Sequence, residues 1–225
     1  MIPDPALNIW EHSVALRRLC RQRALDLIPE MDCAAQGAEL VGLYQKSSNF
    51  RLLDVGCGGG HFIYSLKSRQ INADYFGLDS SPKMVKLARA AFKKKGFDPA
   101  KIILGDVSYL RGLSFDVAVV INTLSFNPDF RAPLDRLSQT GASLIIIRDN
   151  FGPMTVITYE TDGYLDPDFN HLKGYWNRWS KKEVWDFLAS LGYEVKFIVD
   201  KRAKGYCEKV VDKDYYWSWL VAQRA

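Results

Sequence analysis

Cysteine and histidine are scarce in this chain, four of one and three of the other in 225 residues. Cys20, Cys33, Cys57 and Cys207 stand far apart without a Cys-x-x-Cys pair, which excludes the usual zinc and dithiol motifs and points to reduced thiols. An excess of one charge is absent too: 30 Lys and Arg against 26 Asp and Glu leave a formal net charge of +4, with both signs mixed along the chain. Charge by itself gives little support to a nucleic-acid partner. Apolar runs fall short of the roughly 20 residues that span a bilayer. The first residues, with Asp4 and Glu11, lack the basic start and apolar stretch of a targeting peptide. The expectation is a cytoplasmic protein with no membrane partner.

What the chain does have is apolar material, 48% of its residues, enough for one well-packed core and a single domain over 1–225. An N-terminal helical cap is expected over 1–48. Its first helix covers 6–28, where Leu16, Leu19, Cys20, Ala24 and Leu27 recur at helical spacing, and its second covers 33–46. From residue 50 onward, short apolar runs alternate with amphipathic ones, the pattern of a parallel sheet with helices on both faces. Strands are expected at 51–55, 75–78, 102–104, 115–121, 143–148, 193–199 and 215–222. Ser80 or Ser81 caps a helix with Pro82 in its first turn, and Ser180-Lys181-Lys182-Glu183 reads as a capping box. Residues 151–179 break the alternation with seven aromatics: Phe151, Tyr159, Tyr164, Phe169, Tyr175, Trp176 and Trp179. A connection this long is commonly a lid or binding loop; the plainer reading is a packing cluster over the sheet edge.

The sharpest feature is Leu52-Leu53-Asp54-Val55-Gly56-Cys57-Gly58-Gly59-Gly60, an apolar run carrying one acid that opens into four glycines. Backbone that turns sharply against a ligand needs residues without Cβ. A dinucleotide fingerprint wants glycines at positions one, three and six, but counting from Gly56 or Gly58 the sixth position is His61 or Ile63. The spacing present is acid-x-Gly-x-Gly-x-Gly.

In this motif the chain resembles the class I S-adenosylmethionine-dependent methyltransferases. Asp79 at the end of the second strand, Asp106 after the third and Asn122 to Leu124 after the fourth extend the resemblance in chain order. It implies a Rossmann-like three-layer α/β sandwich, with a mostly parallel seven-stranded sheet ending in an antiparallel strand. The helices of 1–48 are an N-terminal extension to it, 50–150 the cofactor half, 151–179 a substrate insert and 180–225 the last helix and strands. It also implies S-adenosylmethionine as cofactor, held by Asp54, Gly56, Gly58, Gly60, Asp79, Ser80, Asp106, Val107, Asn122 and Thr123.

Methyl transfer needs alignment more than acid–base chemistry, yet a hydroxyl or protonated amine must lose a proton. His171, in the aromatic insert, is the candidate base, with Tyr159, Tyr164 and Tyr175 as candidates to orient substrate. His12 and His61 read as structural. Asp149-Asn150 resembles the pair that holds magnesium in catechol-type relatives, but Asn122 stands where those enzymes have an acid, so no metal is expected. Asn122-Thr123-Leu124-Ser125 also lacks the prolines of nucleic-acid amino methyltransferases. The expected acceptor is an oxygen or nitrogen of a small molecule rather than DNA. RNA or protein substrates, and a non-catalytic binding protein that keeps the cofactor, remain as alternatives, and the oligomeric state stays open.

Overall fold

The computed structural model describes residues 9–163, 165–210 and 213–224. Asp4, Ala6 and Tyr164 lie outside the described residues. A 3-10 turn, Ile9–His12, precedes α1 (Val14–Ala24), which Ser13 caps by accepting the Leu16 N–H, and α2 (Asp32–Tyr44) follows. The first helix is thus shorter than its apolar spacing implied. Asp26 turns the backbone out at φ 58°, so Leu27 is left exposed rather than joining the stripe.

The chain then alternates as expected through β1 (Phe50–Val55), α3 (Phe62–Ser68), β2 (Ala73–Asp79), α4 (Pro82–Lys94), β3 (Ile102–Leu104), β4 (Val117–Ile121), α5 (Arg131–Gln139) and β5 (Leu144–Gly152). Ser81 caps α4 and Pro82 opens it, while Lys93, Lys94 and Lys95 sit at its end, where the macrodipole favours cations. The fifth strand is longer than expected, because it continues through Asp149, Asn150 and Phe151 and is buried along all nine residues.

The aromatic insert is then made of a small hairpin, β6 (Tyr159–Thr161) with β7 (Lys173–Tyr175), and of β8 (Trp179–Ser180), which adds two residues beside β5. The capping box holds, with Ser180 accepting the Glu183 N–H at the start of α6 (Lys181–Ser190). After β9 (Tyr193–Val199) comes a hairpin unforeseen from sequence, β10 (Glu208–Val210) with β11 (Lys213–Tyr215), and then β12 (Trp217–Arg224).

The main sheet runs in the order β3-β2-β1-β4-β5-β12-β9, with β12 antiparallel to both neighbours and the adjacent pairs from β3 to β5 parallel. Side chains of a strand alternate between faces, and the two cores follow that alternation. Leu53, Ile145 and Ile147 pack with Leu134 of α5 and Leu188 of α6, while Leu52, Leu144 and Ile146 pack with Ala38, Leu66 and Ala88 of α2, α3 and α4. The result is the expected three-layer sandwich. No helix among the described residues is long and apolar enough to cross a membrane.

Candidate active site

The carboxyl ends of β1 to β4 open into one cavity of about 650 Å³. The order of the sheet reverses between β1 and β4, and ligands of open α/β sheets bind at that crevice. On its strand-end side the wall includes Gly56, Gly58, Asp79, Ser80, Asp106, Val107, Asn122 and Thr123. Gly56 is at φ 71°, and a Cβ there would overlap the Thr123 side chain, so the glycine lets the turns after β1 and β4 touch. At Gly58, with φ 52°, the nearest atom to an added Cβ is Cys20 Sγ at 4.0 Å, leaving the backbone open to the cavity.

Asp79 ends β2 as the sequence implied. Its two oxygens accept the Gly58 N–H at 2.8 Å and the Ser81 N–H at 2.9 Å, and burial raises its pKa against those bonds. A carboxylate has about four lone-pair positions, so acceptor capacity remains for ligand hydroxyls. Asp106 caps the 3-10 turn Val107–Leu110 through the Ser108 N–H at 2.7 Å while also facing the cavity.

Two residues expected to hold cofactor are not on the wall. Asp54 points to the helix-side core, where its carboxylate accepts the Tyr75 hydroxyl at 2.6 Å and burial pushes its pKa up to about 7. Gly60, at φ 73°, packs against the Phe92 ring, so its lack of a side chain serves the turn into α3. Both act beneath the glycine turn.

The expected acid–base and substrate residues are displaced further. His171 is exposed and is not a wall residue. Tyr159 and Tyr175 lie across from each other in the β6–β7 hairpin, rings 4.7 Å apart, and neither lines the cavity. Tyr159 is exposed and Tyr175 half-buried. The insert divides: Phe151 and Trp179 belong to the core, Phe169 stacks on His12 at 4.2 Å, and Trp176 reaches the cavity.

The rest of the wall includes parts of the N-terminal cap and of the insert, the two segments expected to enclose a substrate, together with residues not singled out for the site. Leu16, Leu19 and Cys20 present the apolar stripe of α1 to the cavity rather than to the core. Trp10, Phe126 and Trp176 meet edge to face, with centroids 4.8 to 5.4 Å apart. Tyr215 and Trp217 stack at 4.5 Å. The stripe on α1 and the insert's aromatic run were visible as signals; Phe126, Tyr215 and Trp217 carried none.

Two fixed contacts shape this half. Asp149 is fully buried, and its carboxylate accepts the Leu124 and Ser125 N–H groups at 2.7 and 3.2 Å, so it holds the turn after β4. Asp166 ties cap to insert: its carboxylate accepts the Val14 N–H at the start of α1, and its own N–H donates to the His12 carbonyl at 2.9 Å. His61 lies on the wall beside the glycine turn, with its pKa lowered to about 4 by burial and by Arg23.

A seven-stranded sheet in this order, with a glycine turn after β1 and an acid at the end of β2, defines a Rossmann-like methyltransferase. A family model described as a methyltransferase domain matches residues 46–163, just over half of the chain. The chain belongs to that family, within the class I S-adenosylmethionine-dependent methyltransferases.

Solved structures agree on the fold. Magnesium protoporphyrin IX methyltransferase from Synechocystis, with bound S-adenosylhomocysteine, is similar at TM-score 0.62 and 16% identity, covering 99% of this chain and 100% of that one. A methyltransferase from Clostridium acetobutylicum is similar at TM-score 0.61 and 13% identity, over 91% and 96% of the two chains. A possible histamine N-methyltransferase from Thermotoga maritima is similar at 0.58 and 15%, over 98% and 100%. No curated protein matches the sequence.

The residues present fit S-adenosylmethionine. Asp79 keeps acceptor capacity toward the cavity, Gly58 leaves its backbone open, and the volume lies within the usual 300–1,000 Å³ of small-ligand sites.

Proposed function

We propose that the protein transfers a methyl group to an oxygen or nitrogen of a small molecule, enclosed by α1, Trp176 and the Tyr215–Trp217 pair. One observation carries this reading: the cavity that begins at Gly58 and Asp79 continues without a break to the aromatic walls. An insert collapsed over the strand ends would favour a protein that merely binds the cofactor. Here Trp176 forms a wall and leaves space beside it.

When bound, S-adenosylmethionine supplies an electrophilic methyl group on a sulfonium. Asp79 accepts hydrogen bonds from hydroxyls, and Asp106 with Val107 borders the neighbouring part of the cavity. Thr123 and Asn122 close the wall between the strand ends and the aromatic half. Trp10, Phe126 and Trp176 exclude water and hold a flat acceptor against the reacting end, the alignment on which such transfers depend. Tyr215 stays a protonated phenol, since burial and the charge of Asp149 raise its pKa, and so it can donate to an acceptor oxygen. No Lys or Arg is among the described wall residues, which favours a small uncharged acceptor over RNA.

Calorimetry with S-adenosylhomocysteine, followed by transfer of a labelled methyl group to pooled phenols and amines, RNA or peptides, tests the reading. Binding together with labelling in the small-molecule pool is expected. No binding, or labelling confined to RNA or peptide, defeats it.

A further inference from the structure

Behind the cavity wall lies a buried ion pair that methyl transfer itself does not require. Arg148 of β5 donates from Nε to Asp200 Oδ2 at 2.6 Å, with side-chain exposures of 3% and 1%. Asp200, just past β9, is held in turn by the N–H groups of Arg202 and Ala203 at 3.1 and 2.9 Å. The guanidinium lies over the Trp217 ring at 4.2 Å, which fixes its plane. Its Nη1 donates to the Asn122 side-chain oxygen, and the Asn122 N–H donates to the Arg148 carbonyl at 2.8 Å.

Asn122 is bound at both ends to one residue, and it stands at φ 54°. Asparagine tolerates this left-handed form better than most residues, but it needs surroundings that hold it there. The next residue, Thr123, fills the place of the missing Gly56 Cβ and reaches the Val55 carbonyl at 3.4 Å. The backbone of Asn122 therefore sets where Thr123 meets the glycine turn.

We propose that Arg148 is a positioning residue for the cofactor end of the cavity. Anchored by Asp200, it holds Asn122 in the left-handed form and so seats Thr123 against Gly56. The wall that receives the ligand is thereby set by a charge that never touches it. The inference rests on the S-adenosylmethionine reading given above.

The probe is S-adenosylhomocysteine, measured by calorimetry on the full chain. Arg148→Lys retains a charge for Asp200 but cannot also reach Asn122 with a fork, and a loss of affinity of about tenfold is expected. The pair Arg148→Met with Asp200→Asn, which leaves no buried charge unmatched, is expected to lose at least as much. In the Asn122→Gly background either change should cost little relative to Asn122→Gly alone, because glycine adopts a positive φ without being held.

Affinity within twofold of the unaltered protein in the Lys variant overturns the proposal, as does an equally large loss when Arg148→Lys is made in the Asn122→Gly background. Should the double variant fail to fold, Arg148→Lys with and without Asn122→Gly decides alone. Failure of the unaltered protein to bind the probe would instead defeat the underlying cofactor reading.

Discussion

The Asp79 carboxylate accepts the Gly58 N–H at 2.8 Å, joining the acid that ends the second strand to the turn that follows the first. The two residues are 21 positions apart and form one wall of the cavity. The bond orients the glycine backbone and leaves the carboxylate capacity for ligand hydroxyls.

Replacing Asp79 should therefore weaken cofactor binding twice over, through lost ligand bonds and a loosened turn. Hydrogen bonds to a charged group contribute about 1.5–3 kcal/mol each, so Asp79→Asn should weaken S-adenosylhomocysteine binding by tenfold or more. Calorimetry checks it; an unchanged Kd would leave Asp79 as a partner of the turn and of Ser81 only.

Asp54 should impose a pH dependence on stability. Its folded pKa of about 7 stands above the ordinary value of 3.8, so between them the folded chain keeps a proton that the unfolded chain releases. Stability falls as pH rises through that window, by an amount on the order of 4 kcal/mol across its full width. Asp54→Asn removes the titration and can still accept the Tyr75 hydroxyl. The Tm of the variant relative to the unaltered protein should rise from about pH 5 to about pH 8; a constant offset would refute the assignment.

Asp166 joins the insert to the first turn of α1. Asp166→Ala leaves the Val14 N–H without its acceptor, a loss comparable to removing a helix cap, about 0.5–2 kcal/mol. Hydrogen exchange should speed up across residues 14–24 with little change in the strands of the sheet. Equal protection of α1 in both proteins would show that the latch contributes nothing.

His171 should be dispensable. It is exposed and stands apart from the cavity wall, so His171→Ala should keep kcat within about twofold and leave the pH profile unchanged once an acceptor is known. A lost limb in that profile would return His171 to the site through a movement of the insert.

Much of the cofactor half was legible because its signals are local. Gly56 and Gly58 mark a backbone conformation that other residues resist, and Asp79 and Asp106 mark strand ends that a parallel sheet brings to one edge. Ser81 and Ser180 announced helices through hydrogen bonds made within three residues. The acceptor half was read poorly for the opposite reason. An aromatic residue looks the same in sequence whether it packs in the core like Trp179, stacks on a hairpin like Tyr175 or faces a cavity like Trp176. Asp54 shows the same limit, since the alternation of β1 and the presence of Tyr75 behind it decided where its carboxylate went.

By itself, the sequence determined the succession of main-sheet strands and of the helices between them, the glycine turn and the acids at successive strand ends, all set by periodicity, capping and backbone freedom over a few residues. Only the tertiary structure decided which residues share the cavity. Trp10, Trp176 and Tyr215 are far apart in the chain and line one cavity because β12 inserts between β5 and β9 while the insert docks on the N-terminal cap through Asp166. Those contacts depend on long-range packing and on hydrogen bonds between distant segments, and no local pattern encodes them.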